Sequence, residues 1–166
     1  MLIVGDEHTG DDVIQRFAVK AIAVSGGRML MLRPAGRDDL KFPGGGVEPG
    51  EDDTTALARE LIEETGYLLV SVRAPAVTTR ERRPARERPG AVFEMVSRYY
   101  WCDVDDGHLP QTLDGYERAL GLTPEWTPID EAVRACRRAE TQDDRLPWVA
   151  RERAVVEWVR AQATIG

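Results

Sequence analysis

Residues 41–67 read "KFPGGGVEPGEDDTTALARELIEETGY", with three consecutive glycines directly before a segment of helical spacing. Glycine costs about 0.5–1 kcal/mol relative to alanine in regular structure, so this run indicates a loop in which the backbone has a particular task. Apolar residues then recur at about 100° per residue, which predicts a helix over 52–65 that ends at a left-handed Gly66. The predicted inward face consists of Leu57, Ala58, Leu61, Ile62 and Thr65.

Three carboxylates share one patch of this predicted helix, because Glu60, Glu63 and Glu64 are spaced i, i+3 and i+4. We expect the patch to lie opposite the apolar face. Like charges at this spacing repel by a few tenths of a kcal/mol per pair, so the cluster favours a counter-ion. Oxygen ligands with no cysteine or histidine nearby favour Mg²⁺ or Mn²⁺ over zinc. The alternative is a solvated acidic helix face.

The glycine loop is not one of two familiar phosphate-binding motifs. No Gly-Lys-Ser/Thr follows it, which excludes a Walker loop, and its glycines do not fit the G-x-G-x-x-G dinucleotide fingerprint. Taken with the helix, however, the segment resembles the signature of the Nudix hydrolase (MutT-like) family, G-x5-E-x7-R-E-U-x-E-E-x-G-U, where U is aliphatic. The matching positions are Gly45, Glu51, Arg59, Glu60, Leu61, Glu63, Glu64 and Gly66. Tyr67 is aromatic where an aliphatic residue is usual, which bears on packing rather than on chemistry.

The resemblance implies an α/β fold, an α/β/α sandwich around a mixed β-sheet, with residues 1–166 as a single domain whose core spans about 16–160. It also implies roles for the motif residues. Gly45, Glu51, Arg59 and Gly66 would be structural. Glu60, Glu63 and Glu64 would be catalytic metal ligands, joined by the backbone carbonyl of Gly44 or Gly45.

The activity implied by the family is Mg²⁺- or Mn²⁺-dependent hydrolysis of a nucleoside diphosphate linked to a group X, by attack of water on phosphorus. Nucleoside triphosphates, ADP-ribose and other nucleotide sugars, dinucleoside polyphosphates and coenzyme A all stay open as substrates. So does the general base, which is Glu60, Glu63 or a later carboxylate. The later candidates are Glu81, Glu87, Asp105, Asp106 and Glu117. The competing hypotheses are a nucleotide sensor that does not cleave its ligand and a metal-stabilised scaffold.

Substrate contacts are predicted beside the glycine loop. Arg33 and Lys41 could face phosphates, although a solvated strand end is an equal alternative. Phe42 could stack on a base, as could Tyr99 and Trp101, but alternating aromatic residues on strands more often fill a core.

The remaining elements are predicted from local patterns. Strands are expected at 16–24, 28–33, 67–72 and 92–104, with the first two paired through a turn at 25–27. The arginine- and proline-rich segment 78–90 should be an exposed loop, either solvated or binding substrate phosphates through its arginines. These are Arg80, Arg82, Arg83, Arg86 and Arg88.

Two helices are expected near the end of the chain. Asp130 is positioned to cap the first of them. The second should place Trp148, Val155, Trp158 and Val159 inward.

Composition restricts the class of protein. The 166 residues are 42% hydrophobic and 31% charged, as expected for one soluble domain. A net charge of −7 disfavours long nucleic acids as partners, because their affinity depends on cationic residues. No apolar run approaches the roughly 18 residues of a membrane span, so we expect a cytoplasmic protein with no membrane partner. A homodimer stays open as its assembly. Cys102 and Cys136 are predicted to be free and buried.

Overall fold

The computed structural model describes residues 1–4, 8–142 and 147–163. Within them the strands are β1 Leu2–Val4, β2 Val13–Ile22, β3 Val24–Ser25, β4 Arg28–Arg33, β5 Tyr67–Pro84, β6 Val92–His108 and β7 Thr123–Pro128. The helices are α1 Asp53–Thr65, α2 Gly115–Leu120, α3 Ile129–Gln142 and α4 Pro147–Ala163. No described helix has both the length and the apolar character needed to cross a membrane.

The strands form two sheets that the glycine loop joins. One is a mixed sheet in the order β1-β5-β6-β2, in which β5 and β6 are antiparallel and the two outer pairs are parallel. The other is antiparallel, in the order β3-β4-β7. The amide of Val19 in β2 donates to the carbonyl of Gly45 at 3.0 Å, and the amide of Leu32 in β4 donates to that of Lys41 at 2.8 Å. The glycine loop is therefore fixed to both sheets.

Helices cover the two faces of these sheets. Leu57 and Leu61 of α1 pack into one apolar cluster with Leu30 of β4. Met29 and Met31, the neighbours of Leu30 on the same strand, belong to a second cluster with α3 and α4. Since successive strand residues point to opposite faces, this alternation gives three layers. The predicted α/β/α sandwich around a mixed sheet is confirmed.

Helix α1 ends as predicted and begins at Asp53, one residue later than predicted. The Asp52 side chain accepts from the Thr55 amide at 2.8 Å, and Gly66 is left-handed with φ 74°. A side chain at Gly66 would strike the Leu109 carbonyl, because an added Cβ would lie 1.9 Å from that oxygen.

The predicted inward face of α1 is only partly correct. Leu57, Leu61 and Thr65 are buried, but Ala58 is exposed and Ile62 is only half-buried. Ala56, Glu60 and Glu64 are buried as well. The carboxylates therefore do not lie opposite the apolar face. The buried face is rotated toward the glycine loop, which covers two of the glutamates.

One strand prediction was only partly correct, and another was wrong. The predicted strand 16–24 is divided between the two sheets, since residues 16–22 belong to β2 of the mixed sheet. Only its end pairs with β4, with Val24 opposite Met29, through a turn at Gly26–Gly27. Residues 78–84 of the arginine-rich segment are not a loop, since β5 runs through them in register with β6. Only the tip of this hairpin, at residues 85–91, lies outside the strands.

One prediction about the C-terminal helices, the capping role of Asp130, was wrong. Helix α3 begins at Ile129, so Asp130 lies within its first turn rather than at the cap, and its carboxylate pairs with Arg160 at 2.8 Å. Val155 and Val159 are buried as predicted, whereas Trp148 and Trp158 are half-buried. Both cysteines are free and buried, as predicted.

Candidate active site

A cleft of about 550 Å³ lies over the mixed sheet, bordered by the glycine loop, α1, α2 and α4. Cationic side chains line it along its length: Arg16, Lys20, Lys41, Arg83, Arg86 and Arg151. Four carboxylates also line it: Glu64, Glu81, Asp114 and Glu117. A cleft of this kind suits a ligand with several negative charges that is held partly through cations.

Three carboxylates converge at one end of the cleft. Oxygens of Glu60, Glu64 and Glu117 all lie within 4.8 Å of one another. The first two are one turn apart on α1. Glu117 comes from α2, where Asp114 accepts from the Glu117 amide and the Glu117 side chain accepts in return from the Asp114 amide. This all-oxygen donor set fits Mg²⁺ or Mn²⁺.

Burial raises the pKa of both helix carboxylates in this cluster, Glu60 and Glu64. It raises the pKa of Glu64 to about 7, against the opposing effects of Lys20 and of the Gly44 amide, which donates to Glu64 Oε2 at 2.5 Å. Burial also raises the pKa of Glu60, although Arg59 Nη1 donates to it at 2.7 Å. Two buried carboxylates that resist ionisation are stabilised in their charged form by a bound cation.

Lys20 is a buried residue of the site that the sequence did not reveal. Its ammonium donates to the carbonyl of Phe42 at 3.1 Å and to that of Gly44. Burial lowers the pKa of Lys20, and the nearby Glu64 acts in the opposite direction. The Gly44 carbonyl, one of the two that the resemblance offers to the metal, therefore already accepts a hydrogen bond from the protein. The available signal was a single lysine within the apolar run "FAVKAIAV".

Arg59 connects the glycine loop to the helix. It donates to both oxygens of Glu51, at 2.7 and 2.9 Å, and to the carbonyl of Gly46 at 3.0 Å. This hydrogen bonding lowers the pKa of Glu51 to about 2. Gly45 lies against the Glu60 carboxylate, since a Cβ added there would lie 2.5 Å from its atoms. A structural role for these residues stays a prediction, and these contacts support it.

Glu63 lies outside the carboxylate cluster. Its side chain is 40% exposed, and its carboxylate lies 3.3 Å from Arg59 Nη1. A ligand role for Glu63 stays a prediction, and it requires the side chain to leave Arg59.

The predicted substrate-binding residues are separated by the fold. Lys41 lines the cleft, as predicted for a phosphate contact, with its ammonium 5.7 Å from the Trp148 ring. Arg33 does not line it, because its guanidinium is paired with Glu125 at 2.7 Å. Phe42 is fully buried against Tyr99, so its ring is inaccessible to a base. Neither Arg33 nor Phe42 is therefore placed to contact a substrate in this cleft.

Of the later carboxylates considered as a base, Glu81 and Glu117 line the cleft, whereas Glu87, Asp105 and Asp106 are not among its lining residues. Burial raises the pKa of Glu81, and Arg151 Nη1 donates to it at 3.1 Å. Arg151 is itself buried and also donates to Glu152 at 2.9 Å. The sequence did not reveal this buried group, because charged residues on a C-terminal helix are usually exposed.

Comparison with known proteins agrees with these features. A family model described as NUDIX domain matches residues 15–151. The chain is 44% identical over 59 residues to an RNA pyrophosphohydrolase of Halorhodospira halophila, covering 36% of this chain and 33% of that protein. It is 42% identical over 52 residues to an RNA pyrophosphohydrolase of Erwinia tasmaniensis, covering 31% and 30%. The match thus spans about a third of these curated relatives.

Solved structures share the fold. A NUDIX hydrolase from Nitrosomonas europaea has a TM-score of 0.54 at 22% identity, covering 84% of this chain and 86% of that one. A MutT protein from Bacillus halodurans has a TM-score of 0.54 at 20% identity, covering 72% of each chain. At these identities the likeness is one of fold.

Proposed function

The chain belongs to the Nudix family, and from this we propose that it hydrolyses the pyrophosphate bond of a nucleoside diphosphate linked to a group X. The observation that carries the proposal is the convergence of Glu60, Glu64 and Glu117 at one end of a cleft lined by cations. The carboxylates suit a divalent ion, and the cations suit the phosphates that such an ion would accompany.

We propose that Glu60, Glu64 and Glu117 hold Mg²⁺ or Mn²⁺, with Glu63 as a further predicted ligand. When bound, the ion neutralises phosphate charge and lowers the pKa of a coordinated water. The protein keeps the ligands in place through Arg59, which donates to Glu60, and through the Gly44 amide, which donates to Glu64. A role as general base is open to the cleft carboxylates.

The phosphates would meet cations of the protein beside this cluster. Lys41 and Arg16 line the cleft, and no carboxylate lies within ion-pair distance of either among the residues that the structure describes. Arg16 lies next to the glycine loop, 3.1 Å from where a Cβ on Gly46 would be. These two side chains can therefore bind a substrate phosphate without first breaking an ion pair.

The identity of X is proposed only as a class. The two curated relatives are RNA pyrophosphohydrolases, so a 5′-triphosphorylated RNA end belongs among the candidates, beside the nucleotides considered from the sequence. The net charge of −7 favours a substrate recognised over a short length. A cytoplasmic location and a homodimer stay predictions.

A product assay tests the proposal. The purified protein is incubated with nucleoside triphosphates, ADP-ribose, other nucleotide sugars, dinucleoside polyphosphates, coenzyme A and a 5′-triphosphorylated oligoribonucleotide, in Mg²⁺, Mn²⁺ or EDTA. Chromatography resolves the products. We expect metal-dependent cleavage of at least one class at its pyrophosphate bond. No cleavage of any substrate, with nucleotides still raising the melting temperature, would support the sensor instead.

Glu64→Gln separates the hydrolase from a metal-stabilised scaffold. The amide oxygen can still accept from Gly44, so the fold should be kept, and circular dichroism checks this. We expect turnover to fall by about a hundredfold or more, since the variant loses a charged ligand for the ion. A scaffold would change its metal affinity or stability without losing any activity.

A further inference from the structure

The floor of the cleft is a regular strand surface that extends well beyond the carboxylate cluster. Phe93, Met95, Ser97 and Tyr99 of β6 point to the same face, because alternate residues of a strand do so. Lys20 lies opposite Tyr99 in the register. The six residue-to-residue steps from Tyr99 to Phe93 span about 20 Å at the usual rise per residue. Lys20 marks the end with the carboxylates, and Phe93 marks the far end.

Two arginines stand at this far end, and we call them the distal arginine pair: Arg83 and Arg86. Arg83 lies opposite Phe93 in the register, with its guanidinium 4.1 Å from the centre of the ring. Arg86 follows in the exposed hairpin tip. Both line the same continuous cleft as Glu64.

Neither arginine of the distal pair forms an ion pair within the described part of the chain. No carboxylate there lies within ion-pair distance of Arg83 or Arg86, and Arg83 Nε is buried without a hydrogen-bond partner. Glu81, the preceding residue of β5 on this face, is paired with Arg151 instead. An arginine that is held over a ring and has no carboxylate partner is ready for an anion.

The floor between the two ends also has unused hydrogen-bonding capacity. Ser97 is fully buried, lines the cleft, and its hydroxyl has no partner among the described residues. Such groups are normally satisfied, so an unpaired hydroxyl facing a cleft indicates a polar ligand above it. A ligand that reaches from the carboxylates to the distal arginine pair would cross Ser97.

We propose that the distal arginine pair binds a second phosphate of the substrate, separated from the scissile diphosphate by about one nucleoside. The distance along the cleft floor from the carboxylates to the distal arginine pair supports this assignment, because a diphosphate at Glu60 and Glu64 is too short to reach Arg83. The inference rests on the proposed function and narrows X. It favours nucleotides with a phosphate on the ribose or with an internucleotide linkage, and it disfavours nucleotides linked to an uncharged sugar.

Binding without turnover tests this subsite independently of hydrolysis. Calorimetry in EDTA compares adenosine 5′-monophosphate with adenosine 3′,5′-bisphosphate and with the 5′-phosphorylated dinucleotide pApG. We expect at least one of the two larger ligands to bind about tenfold or more tightly than the monophosphate. The bisphosphate reports a terminal ribose phosphate, and the dinucleotide reports an internucleotide linkage.

The chain offers a matched control one residue away. Arg82 lies on the opposite face of β5, where it pairs with Glu94 at 2.7 Å. Arg83→Ala should abolish the preference for the second phosphate, and Arg82→Ala should keep it, although both remove one positive charge from the same strand. Arg86→Ala, in the exposed tip, provides a second variant if Arg83→Ala is unstable.

Two results would overturn the proposal. One is equal binding of all three ligands by the unaltered protein. The other is a loss of preference in Arg82→Ala as large as in the cleft variants, since that would reflect net charge alone. Because no metal or cleavage is involved, a failed product assay would not imitate either result.

Discussion

The ammonium group of Lys20 donates to the carbonyl oxygen of Gly44, one of the two loop carbonyls that the family resemblance offers to the metal. Lys20 is therefore a cation built into the protein beside Glu64, whose carboxylate accepts from the Gly44 amide. A divalent ion and the lysine would act on the same carbonyl and the same carboxylate. The strength of metal binding would then depend on a residue that is not part of the signature.

Lys20→Met should show whether the lysine and a divalent ion compete for the same oxygen atoms. In EDTA we expect a lower melting temperature, because each buried carbonyl left without a donor costs about 1–3 kcal/mol. Mn²⁺ should then raise the melting temperature more than in the unaltered protein, since the ion no longer competes with the ammonium. Thermal shift measured against Mn²⁺ concentration checks both effects. Lys41→Met is the control, as Lys41 also lines the cleft but no hydrogen bond joins its ammonium to the loop among the described contacts. An unchanged or smaller Mn²⁺ effect in Lys20→Met would refute the competition.

The pKa of Glu64 predicts how stability varies with pH when the metal is removed. Burial raises this pKa from 4.5 to about 7. The folded state therefore binds more protons than the unfolded state between these pH values. The stability that protonated Glu64 contributes is thus full below about pH 4.5 and is lost as the pH rises to 7. The melting temperature in EDTA should fall from pH 5 to pH 8.

Glu64→Gln should reduce that fall, because the neutral amide does not titrate. The melting temperature of the variant should still depend on pH to some extent, since burial also raises the pKa of Glu60 and of Glu81. The measurement is a series of melting curves for both proteins in EDTA. If the two proteins showed the same slope with pH, Glu64 would not be the source.

Glu117 extends the carboxylate cluster beyond the signature helix, which gives a test of whether the cluster binds metal. Its oxygens lie within 4.8 Å of those of Glu60 and Glu64. Glu117→Gln should weaken Mn²⁺ binding by about tenfold or more, as expected for one lost ligand charge. Glu87→Gln removes the same charge from an exposed position outside the cleft and should leave affinity unchanged. Calorimetric titration compares them, and equal affinities in the two variants would exclude Glu117 as a ligand.

The sequence predicted what depends on local periodicity and fixed spacing. Helix α1 and its capping glycine lie within one short segment, where residue spacing largely determines geometry. The exposure of the glutamates was mispredicted, because Glu60 and Glu64 are buried by the glycine loop rather than by the helix itself. A pattern of apolar residues contains no information about that contact.

The parts of the site that come from other segments were harder to predict. Lys20 and Arg151 are charged residues buried through contacts with distant segments, while composition alone favours exposure for both. The arginine-rich segment was misassigned because prolines and charges suggested a loop. Pairing with β6 instead extends the strand, and its alternation directs Arg83 into the cleft and Arg82 away from it.

Gly45 provides a test of how closely the loop must approach the carboxylates. A Cβ at this position would lie 2.5 Å from the Glu60 carboxylate, so Gly45→Ala must displace either the loop or Glu60. Since Val19 holds the Gly45 carbonyl and Arg59 holds Glu60, both displacements break a hydrogen bond. We expect weaker Mn²⁺ binding and a fall in turnover of about tenfold or more, because small misplacements at a reacting centre are costly. Gly115→Ala is the matched control, since no atom lies within 4 Å of a Cβ there. Equal Mn²⁺ affinity in the two variants would mean that the loop yields to the added methyl group, and the close approach of Gly45 to Glu60 would then not be required for metal binding.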